Sequence, residues 1–314
     1  MPNITSTRWI DNVRATLEEV DRLFMSPHPD STTTANWEVS KKFPEVQSIT
    51  LNGKTIPYNY YEFYFDKMNV GSPVDEDTIR KTGFVIPYVL NGKIRYIISR
   101  NSGALSILRK LLNCEENNVV QKNFPTFSAD LFVWLVSCVY TGNNVLECES
   151  DELENLAVDS IRGFKGDTED LLTRVTAVGE SVINIISTLS FLLESQKLNQ
   201  ITLDLGYRKH SNIDVSFSNK NTVSINLDRY QGELITDIAS PKTISILFLT
   251  LYLEIIPIIL QSYQGELESG QWSPSKCVTF LESVASDLSA RVRQRVADLQ
   301  ARPQQLNMAE VVND

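Results

Sequence analysis

The chain has 314 residues, 42% of them apolar and 22% charged, the composition of an ordinary globular protein with room for one large domain or two closely packed ones. Its net charge of −10 repels phosphate on average, which opposes non-specific adhesion to nucleic acid or anionic lipid and leaves such partners only a local basic patch. Two histidines, His28 and His210, and four cysteines without metal-ligand spacing, Cys114, Cys138, Cys148 and Cys277, exclude most zinc sites and most catalytic triads.

Residues 1–25 carry Arg8, Asp11, Arg14, Glu18, Glu19, Asp21 and Arg22, so no signal-peptide apolar run is expected and the expected compartment is the cytoplasm. Trp9, Ile10, Val13, Leu17, Val20, Leu23 and Phe24 recur at helical spacing and predict an amphipathic helix over Thr7 to Phe24. The stretch Ser26 to Thr34 breaks it as a loose connector. Two hairpins follow, turning at Asn52-Gly53 and Asn91-Gly92, because Asn-Gly tolerates the positive φ angles of a two-residue turn. Helices are predicted over Ala104 to Leu112 and Ala129 to Tyr140, the second apolar on nearly all sides and so suited to a core.

Beyond a polar loop at Gly142 to Glu152, Leu156, Val158 and Ile161, then Val175, Ala177 and Gly179, predict strands, and Ser181 to Leu193 a helix. Gln200 to Leu205, Asn212 to Phe217 and Thr222 to Leu227 predict three more strands. The apolar run Thr243 to Leu260 has the length of a short membrane span, but Glu254 lies inside it. With Ser240 as N-cap and Pro241 in the first turn, a buried core helix bent at Pro257 is the expectation. The last helix starts at Ser273 and Pro274. Val278, Leu281, Val284, Leu288, Val292, Val296 and Leu299 give it a narrow apolar seam, suited either to docking on its own domain or to pairing with a second copy. Pro303 to Asp314 reads as a tail. The expected fold is α/β of the α+β kind, with a mixed, largely antiparallel sheet, helices on one face and a long C-terminal amphipathic helix. The expected blocks are 1–125, 126–270, 271–302 and the tail 303–314.

Few motifs carry chemistry. Gly53-Lys54-Thr55 imitates the end of a phosphate-binding loop, but it lies in a hairpin turn and the earlier glycine is Ser48. Lys41-Lys42 and Arg291, Arg293, Arg295 and Arg302 read as solvated faces. Asp204, Asp214 and Asp228 sit on or at the end of consecutive predicted strands with Lys209 nearby, which admits a divalent-metal nuclease as the alternative reading. The Glu-x-Lys triplet of a restriction-type nuclease core is missing from the strand at Asn212 to Phe217. No cofactor is expected.

The block Ser160-Ile161-Arg162-Gly163-Phe164-Lys165-Gly166-Asp167-Thr168, followed by Val175 to Glu180 and an apolar helix to Leu193, remains. It resembles the middle of cytoplasmic phage-exclusion sensors of the lambda Rex type, in which an Arg-Gly and a downstream Asp turn precede a strand, a glycine, a helix and another strand. It is also similar to the cytosolic partner of the Kiwa defence system, whose overall length is comparable. The resemblance spans about 50 residues. It implies a non-enzymatic homodimer of anti-phage defence that binds DNA or a phage component and works with a membrane-protein partner, without membrane insertion of its own. The acidity of this chain departs from that pattern. Any nucleic-acid contact is therefore expected where cations converge, at Arg162, Lys165, Arg174, Arg208 and Lys209.

Overall fold

The structure, a computed structural model, describes residues 3–31, 33–68, 78–100, 102–114, 116, 118–147, 154–168, 174–178 and 195–309. Among these residues, fifteen strands form a large antiparallel sheet accompanied by five α-helices, the last of them long, an α+β fold. The predicted helix at Ser181 to Leu193, together with Gly179 and Cys148, lies outside the described residues.

The chain divides into two units, each built from three segments. The first comprises Met1–Phe127, Val145–Ala157 and Asp204–Ser262; the second comprises Ser128–Asn144, Val158–Leu203 and Tyr263–Asp314.

The first unit opens on a strand, which corrects the long N-terminal helix. In β1 (Ile4–Asp11) burial alternates from Thr7 on, with Thr7, Trp9 and Asp11 inside, a period of two, and Ser6 is buried as well. Asp11 ends the strand: its carboxylate accepts the N–H groups of Val13 and Arg14 at 2.9 and 3.0 Å, the Arg14 guanidinium at 3.1 Å and the Tyr96 hydroxyl at 2.6 Å. Helix α1 occupies only Leu17–Phe24. Thr16 and Glu19 close a reciprocal capping box at its N-terminus, and Val13, assigned above to an apolar face, is largely exposed.

β1 is central to this unit's part of the sheet. Ile4–Ser6 pair with β14 (Val223–Ile225), Thr7–Ile10 with β7 (Lys93–Ile98), and Trp9–Asp11 with β8 (Val120–Lys122). β7 pairs with the long β6 (Thr78–Leu90), which pairs in turn with β5 (Tyr61–Met68), the partner of β2 (Thr34–Lys41). β3 (Gln47–Leu51) and β4 (Lys54–Tyr58) form the first predicted hairpin, and β6 with β7 the second. Asn52, Gly53, Asn91 and Gly92 all take the positive φ that their turns require. Leu17, Val20 and Phe24 of α1 pack on Tyr61, Phe63, Val85 and Tyr96 and on α2 (Ala104–Leu111), with Phe24 edge-on to Tyr61 at 5.0 Å.

Helix α4 spans Pro241–Ser269 and is capped by Ser240, whose hydroxyl accepts the Thr243 N–H at 3.2 Å. It is long and apolar enough to cross a membrane, yet 78% of its apolar window is buried, and Phe248 and Tyr252 reach Phe84 and Ser6. The break falls before the proline rather than on it: Leu251–Ile255 form a π turn in which the Ile256 N–H reaches back to the Leu251 carbonyl. Pro257 has no N–H to give the preceding turn, and the widened ladder accommodates that loss.

In the second unit, α3 (Ala129–Thr141) buries Leu131, Phe132, Trp134, Leu135 and Val136, as its uniformly apolar sequence requires. It meets α5 (Pro274–Ala309) through Tyr140, edge-on to Phe280 at 5.6 Å and hydrogen-bonded to Asp287. α5 continues past Pro303, where a tail was expected. One lost backbone bond is tolerated in a stretch of good helix formers, Gln304 to Ala309. β10 (Leu156–Thr168) and β11 (Arg174–Val178) pair from Gly163↔Val178 to Asp167↔Arg174.

Candidate nucleic-acid interface

The five predicted cations are divided between the two units. Arg162, Lys165 and Arg174 belong to the second. On β10, Ile161, Gly163, Phe164 and Gly166 are buried, Arg162 is half-buried and Lys165 is exposed. Arg162 and Lys165 are three residues apart, and alternation puts them on opposite faces of the strand. Lys165 pairs with Thr176 and Asp167 with Arg174.

Arg208 and Lys209 belong to the first unit, in the turn between β12 (Ser195–Tyr207) and β13 (His210–Ser218), where Arg208 adopts a left-handed φ of 51°. The Arg208 guanidinium lies 3.0 Å from Glu254 Oε1 and over the Tyr207 ring, so this cation neutralises a wholly buried carboxylate. Glu254 also accepts the Asn52 N–H at 2.7 Å. Burial nevertheless pushes its pKa up, against the opposing pull of Asn52, Arg208 and Tyr207. The Lys209 ammonium sits 3.1 Å from Glu233, an exposed pair of little energetic weight.

Of the carboxylates considered for metal, Asp204 on β12 and Asp214 on β13 are buried, and Asp228 is exposed on the short 3₁₀ turn Leu227–Arg229. Arg229 Nε lies 3.2 Å from Asp214, which holds that carboxylate in an ion pair. Among the described residues no group of three or more His, Cys, Asp or Glu side chains is arranged to hold a metal ion.

A scan against models of protein families finds no match. A search of curated proteins finds none either. Chemistry therefore has to be read from the side chains alone. His210 Nδ1 is 2.7 Å from the Tyr230 hydroxyl, and burial lowers its pKa, which favours the neutral ring. His28 Nε2 contacts the Phe24 carbonyl at 3.0 Å. Burial pushes the Cys138 thiol up to about 12 and raises Cys114 and Cys277 as well, so these thiols stay protonated at neutral pH. The commitment of Arg208 to Glu254, 46 positions away in the chain, carried no local sequence signal.

Proposed function

We propose that this chain is a cytoplasmic component of bacterial anti-phage defence that acts by binding, with DNA or a phage component as its target and a membrane-protein partner for its output. The observation that carries the reading is the β10–β11 hairpin. Lys165 is exposed on β10, where a phosphate can reach its ammonium, and the ladder continues two residues on to the pair Asp167↔Arg174. The same block carries the resemblance to phage-exclusion proteins. Thiols that burial keeps protonated, among the described residues, support binding over catalysis.

Lys165→Ala and Arg174→Ala should each weaken binding to all DNA sequences alike and flatten the salt dependence by about one unit of log–log slope. A gel-shift series over salt concentration reads both effects. Unchanged binding in the double variant overturns the interface, and no binding to any DNA at low salt assigns the target to a phage protein. Arg208→Ala is unsuitable here because it removes the partner of Glu254.

Helix α5 supports the expectation of a second copy. Val278, Val292, Val296 and Leu299 remain 46–55% exposed along it, and from Ser289 to Ala301 nearly every residue faces solvent. An isolated helix is marginal in water, and a narrow apolar stripe gains most by pairing. Val296→Asp should convert a dimer to a monomer without altering the fold of the subunit, because Val296 is not in its core. Light scattering that finds the unaltered chain monomeric at micromolar concentration sinks this part of the proposal.

A further inference from the structure

The second unit holds an open cavity of about 400 Å³ between the C-terminal half of α3, the last turn of α4 and the first turns of α5. Its volume lies at the lower end of the range of small-molecule sites. Four hydroxyls line it, those of Ser137 and Thr141 on α3 and of Thr279 and Ser283 on α5. Each gives its proton to a carbonyl of its own helix: Ser137 to Trp134 and Thr141 to Ser137 at 2.8 Å, Thr279 to Ser275 at 3.1 Å and Ser283 to Phe280 at 2.8 Å. A hydroxyl whose proton is committed in this way can only accept, so these side chains offer lone pairs to a donor.

A carboxylate lines the cavity with them. Glu266 Oε2 accepts the Trp134 indole N–H at 2.8 Å, which fixes the group, and its charge adds to burial in raising the pKa of the Cys138 thiol on the same wall. Acceptors grouped with an anchored carboxylate recognise an ammonium, which carries a charge and several N–H donors. Lys276, exposed on α5 at the same cavity, sets the opposite condition: a ligand that is only cationic is repelled, whereas one with a carboxylate at its other end is bound. The lining also has an apolar part. Trp272 and Phe280 are both buried, the first held by its Nε1 donating to Asp130 at 3.0 Å and the second edge-on to Tyr140 at 5.6 Å. Rings held in place take an apolar side chain with little loss of ordering entropy.

We propose that this cavity binds a free α-amino acid with an apolar side chain, its ammonium at Glu266 and the hydroxyls, its carboxylate at Lys276 and its side chain against Trp272 and Phe280. The site shares no residue with the β10–β11 hairpin, and either can fail without the other. Calorimetric titration of the full chain tests it with L-leucine and L-phenylalanine, each beside its analogue without the carboxylate (isoamylamine, phenethylamine) and without the ammonium (isocaproate, hydrocinnamate). An amino acid should bind saturably and at least about tenfold more tightly than either of its analogues, since a charge-assisted hydrogen bond contributes about a factor of ten or more. Glu266→Gln, whose amide oxygen still accepts from Trp134, should weaken the amino acid and the amine and leave the acid unchanged. Lys276→Gln, a change at an exposed position of α5, should weaken the amino acid and the acid and leave the amine unchanged. Misfolding would weaken all three compounds alike, so it cannot produce this crossed pattern. No saturable binding of either amino acid at millimolar concentration, equal affinity for intact and shortened compounds, an unaffected variant, or variants that weaken all three alike would each overturn the assignment. Amines that bind more tightly than their amino acids would overturn it in favour of a cationic ligand.

Discussion

Glu254→Ala should destabilise the protein by roughly 3 kcal/mol, and Glu254→Gln by much less. The Glu254 side chain is wholly buried in the π turn of α4, and its Oε1 receives both the Asn52 N–H at the tip of the β3–β4 hairpin and the Arg208 guanidinium at the β12–β13 turn. Alanine leaves both donors without their acceptor, while the amide oxygen of glutamine still receives them. The pH dependence separates this from a packing defect. Burial raises the pKa of Glu254 above its ordinary value of 4.5, so the folded state holds the proton more tightly than the unfolded chain. Stability from the protonated form is present below the unfolded pKa and declines as pH rises through the folded one. The deficit of Glu254→Gln relative to the unaltered protein in urea unfolding should therefore shrink as pH rises from about 4.5, and a pH-independent difference would refute the account.

Trp134→Ala should cost about 3–5 kcal/mol, with its effect in the second unit. The Trp134 side chain is fully buried in α3, its ring lies 5.4 Å from that of Tyr263, and its Nε1 donates to Glu266 at 2.8 Å. Tyr263 and Trp272 both hydrogen-bond Asp130 at the start of α3, so removing the indole empties the space beneath a shared polar cluster. Trp134→Phe keeps most of the volume and loses the hydrogen bond, at about 1–2 kcal/mol. Hydrogen exchange locates the damage: amides of α3 and the first turns of α5 should lose protection before those of β1 and β7. A loss in unfolding free energy below about 1 kcal/mol would contradict the cavity argument.

Local chemistry made much of the fold legible. The Asn-Gly pairs set both hairpin turns, and Ser240 and Ser273 mark the starts of α4 and α5 through hydroxyls that accept N–H groups three residues on. The misread N-terminus had its own signal in the Thr16–Glu19 capping box. The apolar residues of β1 and α1 happen to run on at helical spacing, which masked the change of period at Asp11. The functional residues were harder to read because their meaning is non-local. Arg208 and Lys165 are alike in sequence, each a cation beside a glycine or a turn, yet one is held by a carboxylate from α4 and the other faces solvent. Reading along the chain also produces contiguous blocks, whereas each unit gathers three separated segments.

The pairing of β1 with β14 bears on how the protein is made. Ile4, Thr5 and Ser6 leave the ribosome early, but their partners Ile225, Ser224 and Val223 follow more than two hundred residues later. At typical synthesis rates this strand waits roughly 10–40 s for one of its neighbours. During that interval the nascent chain presents unpaired N–H and C=O groups beside the apolar faces of β6 and β7, the kind of surface that other growing chains can join. Holdase chaperones lessen that risk by covering the open edge, so the yield of this protein should depend on the order in which its strands emerge as well as on the stability of the finished sheet.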